Sequence, residues 1–207
     1  MPSFRSEPFL WIHLAGIAVA PLALLVTWLA LAIGDPITPY GLELAILAIA
    51  AIIPILIMQW SRPFEIFSLL IISLRPEVLT TEQRKILRLF KTPKQRIFAL
   101  LTALLMFAVL WGIYLFAPVA ALSVTPFPQI RVLGLIIAAI AFLVANLFTQ
   151  VPISVVGVLL TKQEVFNTVE PLTVEQIPPS FTVPGFRVRK IPFIPEATEA
   201  ASSVKSV

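Results

Sequence analysis

Four blocks of this sequence, residues 9–33, 41–60, 97–117 and 132–160, are each long and apolar enough to cross a lipid bilayer. About 20 residues of helix span a hydrocarbon core of about 30 Å. A water-soluble domain disperses its apolar residues along amphipathic elements, whereas here they are gathered into runs. Composition agrees: 58% of residues are hydrophobic and 13% charged, against about 45–50% and about 25% in soluble domains. The expected fold class is all-α: a polytopic membrane protein of four transmembrane helices, short interfacial helices and an extended Pro-rich C-terminal tail.

Prolines and charges punctuate the blocks. Pro21 sits mid-span in the first and predicts a kink. Gly34-Asp35-Pro36 ends that block, and only a short link precedes the second, so the two form an antiparallel hairpin over residues 9–60. The second hairpin covers residues 97–160, with a proline-rich link at 118–128 and Pro152 placed to kink or end the last helix. The N-terminal stretch 1–8 carries Arg5 and Glu7, and the apolar run after it is too long for a signal peptide, so it reads as a retained first helix.

Residues 61–96 differ from the rest. The apolar stretch 63–74 is bracketed by Arg62 and Arg75, interrupted by Glu65, and too short to span. It reads as interfacial or re-entrant. Thr80-Thr81-Glu82-Gln83 is a capping-box helix start. Ile86, Leu87, Leu89 and Phe90 then face one way, and Arg84, Arg88 and Lys91 the other. Such a helix suits an anionic leaflet. This loop holds eight Lys/Arg, while the link 34–40 holds none and the link 118–131 only Arg131. The positive-inside rule therefore places the loop, residues 1–8 and the tail 161–207 in the cytoplasm. Trp11 and Trp60 then fall at the cytoplasmic ends, Tyr40 and Tyr114 at the far ends.

Few side chains offer chemistry. The chain has no cysteine and one histidine, which excludes disulfides, thiolate metal sites and cysteine nucleophiles, and leaves no metal-ligand set and no catalytic residue. His13, with Gly16 three residues on, is either an axial ligand to a chlorophyll magnesium or a neutral imidazole bonded to a backbone carbonyl, a lipid or a partner. Glu43 is an intramembrane carboxylate, but close enough to the start of its helix to act as a cap and reach the far aqueous face. Asn146 and Gln150, one turn apart, are either hydrogen-bonding glue between helices or part of a polar pathway. No polar row is expected to face them from the other segments. In the loop, Arg84, Arg88 and Lys91 are candidates for docking a partner as well as for setting topology. In the tail, Phe181, Phe186, Arg187, Arg189 and Phe193 are candidates for the same. The alternation Phe186-Arg187-Val188-Arg189-Lys190 could add to a partner as an edge strand, or belong to a disordered linker with residues 196–207.

The run Ser6-Glu7-Pro8-Phe9-Leu10-Trp11-Ile12-His13-Leu14-Ala15-Gly16, with Gly34-Asp35-Pro36, Arg62-Pro63-Phe64 and Leu89-Phe90-Lys91-Thr92-Pro93, resembles a cyanobacterial family of low-complexity tail membrane proteins. The resemblance covers residues 1–160 and carries over no catalytic residue. It implies a cyanobacterial membrane, the thylakoid, with a photosynthetic complex as partner. The expected partners are thus photosystem subunits or other membrane-complex proteins; the basic helix adds anionic lipid, and no nucleic acid is expected. The expectation is a non-enzymatic accessory or assembly factor of photosystem II or its intermediate. The alternatives are a small transporter or channel component, and a pigment-binding subunit with chlorophyll on His13.

Overall fold

A computed structural model describes residues 3–36, 39–69, 71–183 and 185–191. Among them, four helical spans are long and apolar enough to cross a membrane: Pro8–Leu31, Gly41–Ser61, Pro93–Val124 and Arg131–Leu159. The fold is all-α apart from three very short strands.

Proline chemistry explains the breaks in the spans. The first is α1 (Pro8–Ala15) and α2 (Val19–Leu31), joined by a 3-10 turn at Gly16–Ala18. Pro21 has no N–H for the carbonyl of Ile17, and its ring crowds that turn, so the deformation lies N-terminal to the proline. The second span divides the same way into α3 (Tyr40–Ala51) and α4 (Ile53–Ser61), with Pro54 just past the break. The third is α6 (Pro93–Phe116), extended by a 3-10 turn, Ala117–Ala120, and α7 (Ala121–Val124). The helical path thus runs through Pro118, which the sequence reading assigned to a link. The fourth, α8 (Arg131–Leu159), passes through Pro152 without ending.

Small residues hold the bundle together. Ala20, Ala23, Thr27 and Ala30 are buried on α2, and Gly134, Ala138, Ala141 and Ala145 on α8. Both sets repeat at alternating spacings of three and four, so each forms one stripe. A Cβ added at Gly134 would lie 2.6 Å from the Ala30 carbonyl oxygen. The two backbones touch there, which is how helices associate where lipid removes the hydrophobic drive. α8 is the central helix and also meets α1, α3, α4 and α6. Leu47, Leu110 and Phe142 fill the middle of the bundle.

One end of the bundle carries a cap with its own apolar core. Residues 63–74, expected as an interfacial or re-entrant stretch, belong to this cap. They hold β1 (Ser68–Leu69) and β2 (Ile72–Leu74), paired antiparallel. The tail strand β3 (Phe186–Val188) joins β2 in parallel. It enters through Gly185, whose φ of +68° suits glycine, while the Phe186 N–H bonds the Ile71 carbonyl at 2.8 Å. The expected helix is α5 (Thr81–Phe90), and its capping box forms: Thr80 Oγ1 accepts from the Gln83 N–H, and Gln83 Oε1 from the Thr80 N–H. Its apolar face does not lie on lipid. Ile86, Leu87, Leu89 and Phe90 pack against Phe166 of α9 (Gln163–Thr168), Leu172, Ile177 of α10 (Ile177–Ser180) and Phe181. Phe4 stacks on Phe166 at 4.2 Å, so residues 3–7 close the same core. The N-terminal stretch, loop and tail are one packing unit.

Because Phe181 is fully enclosed, Phe181→Ala should cost the cap about 3–5 kcal/mol. Hydrogen exchange should show α5 losing amide protection while the α2–α8 contact keeps its own.

Candidate functional site

The strongest polar centre lies at the end of the bundle opposite the cap. Arg131 opens α8, Glu43 is in the first turn of α3, and Tyr114 is in the last turns of α6. All three are buried, at 6%, 3% and 5% exposure. Arg131 Nε donates to Glu43 Oε1 at 3.1 Å and Nη2 to Oε2 at 2.5 Å, a bidentate pair. The Tyr114 hydroxyl donates to the same Oε2 at 2.6 Å. Arg131 Nη1 donates to the carbonyls of Leu31, Ile33 and Gly34 at 2.7, 3.3 and 3.4 Å. Those carbonyls belong to the frayed end of α2, where a helix lacks partners of its own. One guanidinium thus binds the ends of α2 and α3, and through Glu43 it is joined to the end of α6.

Glu43 sits in the first turn of its helix, as expected, but it is buried and does not reach the far aqueous face. A fixed guanidinium and a phenol satisfy its carboxylate inside the bundle, which suits a low-dielectric site better than an interfacial cap would. Sequence reasoning missed Arg131 and Tyr114 as its partners. The available signal was charge pairing: one acid at the start of the second block and one base in the far link belong at the same membrane level.

A second polar row runs toward the cap. Asn146 Nδ2 donates to the Ala51 carbonyl at 3.0 Å, at the break ahead of Pro54, and Gln150 Nε2 donates to Asn146 Oδ1 at 3.1 Å. These are bonds between helices and along one. One polar group of the third span meets the same helix a turn further on: Gln95 is buried and its Nε2 donates to the Ser154 carbonyl at 2.9 Å, and Gln59 of the second span is buried as well. Gln59 Nε2, Gln95 Oε1 and Gln150 Oε1 have no protein partner. The leucine, alanine and phenylalanine layer around Phe142 lies between this row and the Arg131 centre.

His13 is half-buried. Its Nδ1 lies 2.8 Å from the Phe9 carbonyl and its ring 5.7 Å from that of Phe64. The helix face at Gly16 is covered by the Phe148 ring, 3.2 Å from where a Cβ would stand.

Four of the eight candidate docking residues, Arg84, Lys91, Phe181 and Arg187, are buried or half-buried. Arg84 Nη1 donates to the Leu172 carbonyl at 3.4 Å, and Lys91 Nζ to those of Ser61 and Ser180 at 3.0 and 3.3 Å. Arg62, not among the docking candidates, donates to the carbonyls of Pro178 and Phe181 at 3.0 and 3.1 Å. The loop's cations therefore grip the chain's own tail, and Phe181 lies in its own core. Arg187 is half-buried in β3, which pairs with β2 of the same chain as the edge strand of the sheet. Arg88, Phe186 and Arg189 stay exposed. Phe193, like all of residues 192–207, lies outside the described residues.

Glu65 is the other missed group. It is fully enclosed in the cap and neither carboxylate oxygen has a protein partner. Burial pushes its carboxyl up to about 7, with Arg187 drawing it partly back.

Removing one member of the Arg131–Glu43 pair, as in Arg131→Gln, should destabilise the bundle by about 3–5 kcal/mol. The double variant Glu43→Leu/Arg131→Met should recover most of that in thermal melts in detergent. For Glu65, the unfolded carboxyl titrates at the ordinary 4.5. Between that value and about 7 the folded chain keeps a proton that the unfolded chain has lost, so stability falls as pH rises through this window. Glu65→Gln should match the parent at pH 4.5 and exceed it by about 3 kcal/mol at pH 8, read from melts at both pH values.

No curated protein and no solved structure matches the chain. A family model described as low-complexity tail membrane protein-like matches residues 6–193, taking in all four spans and the described part of the tail. The chain belongs to the low-complexity tail membrane protein-like family.

Proposed function

We propose that this protein is a non-enzymatic accessory or assembly factor of a photosynthetic membrane complex, photosystem II or an intermediate of it. In this reading it lies in the thylakoid membrane, with the cap, and so both chain ends, on the cytoplasmic side. The basic loop supports that orientation through the positive-inside rule, and the resemblance to a cyanobacterial family supports the setting.

One observation carries the docking role. The interior polar groups Arg131, Glu43, Tyr114 and Asn146 bond within the bundle, while α6 turns a small-residue face outward. Ala108 is exposed, and a Cβ at Gly112, one turn on, would meet nothing within 4 Å. Phe107 and Trp111, packed edge to face at 6.1 Å, stand exposed beside them. Small residues at this spacing let a second helix approach closely, and aromatic residues give it something to grip. A helix of a neighbouring subunit fits this face better than lipid chains alone.

A second reading, a small transporter component, draws on the unpartnered amide atoms of Gln59, Gln95 and Gln150. The apolar layer around Phe142 stands against it, because a conducting path would have to cross that layer.

A tagged copy run on a native gel of thylakoid extracts should co-migrate with photosystem subunits. Gly112→Leu should lower the co-migrating fraction without changing the monomer's melt. Migration of the parent as a free monomer would count against the proposal.

A further inference from the structure

A shallow groove opens where the membrane spans meet the cap, lined by Gln59, Trp60, Pro63, Phe90, Lys91 and Arg96. Gln59 and Trp60 end the second span, Lys91 follows α5, and Arg96 is in the first turn of α6. We propose that this groove binds the anionic headgroup of a membrane phospholipid, with its oxyanion held by Lys91, Arg96 and the Gln59 amide.

Three independent features converge there. The first is unbalanced charge. Arg62, Arg88 and Arg96 surround Lys91 closely enough that, after burial, their repulsion lowers its proton affinity. None of the four pairs with a carboxylate among the described residues. A cluster of cations held together without a counter-charge favours an anionic ligand. The second is Gln59 Nε2, a donor on a side chain only 5% exposed, which lines the groove with no protein partner. A buried N–H without an acceptor is destabilising, and an anionic oxygen relieves that cost. The third is the start of α6, a 24-residue helix. Thr92 contributes no side-chain cap, because its hydroxyl donates backward to the Leu89 carbonyl at 2.9 Å. The first turn brings Arg96 to the groove, where the positive end of the helix adds to its charge.

The setting favours a lipid over a free anion. Trp60 is 44% exposed, with the Arg96 guanidinium 5.9 Å from the centre of its ring. A tryptophan at a span end marks headgroup depth. One turn toward the membrane interior, α4 and α6 expose Ile57 and Leu100, an apolar wall for acyl chains. Lys91 also bonds Ser61 and Ser180, so it is fixed in place before any ligand arrives. A bound headgroup would therefore tie the second and third spans to the tail.

The test uses the full chain in nanodiscs of phosphatidylcholine, with and without phosphatidylglycerol. Native mass spectrometry should find phosphatidylglycerol retained, and the melt should shift upward when it is present. Arg96→Gln should weaken retention about fivefold, the change expected for one basic residue near an anionic surface. Adding Gln59→Leu should weaken it further, and Arg96→Lys should restore most of it, which separates loss of charge from loss of fold. Equal weakening by Arg75→Gln, an exposed loop charge outside the groove, would reduce the effect to general surface attraction and overturn the proposal. So would failure of Arg96→Lys to rescue, or the same melt shift from inorganic phosphate in phosphatidylcholine alone.

Discussion

Everything in the bundle depends on how closely α8 approaches α2. In lipid, leucine gains nothing by leaving its surroundings for another leucine, so helices adhere only where their backbones come near enough for dispersion and dipole contact. Gly134 against the Ala30 carbonyl is that point. It lies one turn from Arg131, and the two effects are linked. The close crossing brings the ragged end of α2 within reach of the guanidinium, and the guanidinium satisfies carbonyls that would otherwise face hydrocarbon. Charge alone would not justify burying Arg131 and Glu43, since desolvation offsets much of their attraction. The extra bonds to Tyr114 and the α2 carbonyls make the arrangement tenable.

The cap follows a different physics. It lies outside the spans, and its core of phenylalanine, leucine and isoleucine is an ordinary hydrophobic one. Its charged residues do unusual work: Arg62, Arg84 and Lys91 point at backbone carbonyls of the tail, not at carboxylates. A proline-rich segment has few N–H groups and little helix to occupy its carbonyls, so cations from the loop take them up. Glu65, enclosed without a partner, is the exception to this economy and marks where the cap is electrostatically least settled.

The four spans were legible because each is a continuous apolar run, a signal that needs only length and hydropathy. The start of α5 was legible because its capping box is a four-residue pattern. What stayed hidden shares one trait, pairing between residues far apart in sequence. Glu43 meets Arg131 across the whole third span and the loop before it, and β2 meets β3 across more than half of the chain. Residues 63–74 carry too little alternation to announce strands whose partner lies in a tail that itself reads as a linker. Phe181 looked like an aromatic offered to a partner because the face it fills on α5 looked like a face offered to lipid. Each half was read as incomplete, and each completes the other.

That mutual completion sets an order of events during synthesis. The spans can enter the membrane as they emerge, because each satisfies its own backbone hydrogen bonds. The cap cannot close so early. Its sheet needs Phe186–Val188 and its core needs Phe181 and Ile191, and the ribosome delivers these long after α5. For that interval the apolar face of α5 stands uncovered beside a freshly inserted bundle, a time-limited opening for a chaperone or a neighbouring subunit, closed once the chain's own end arrives.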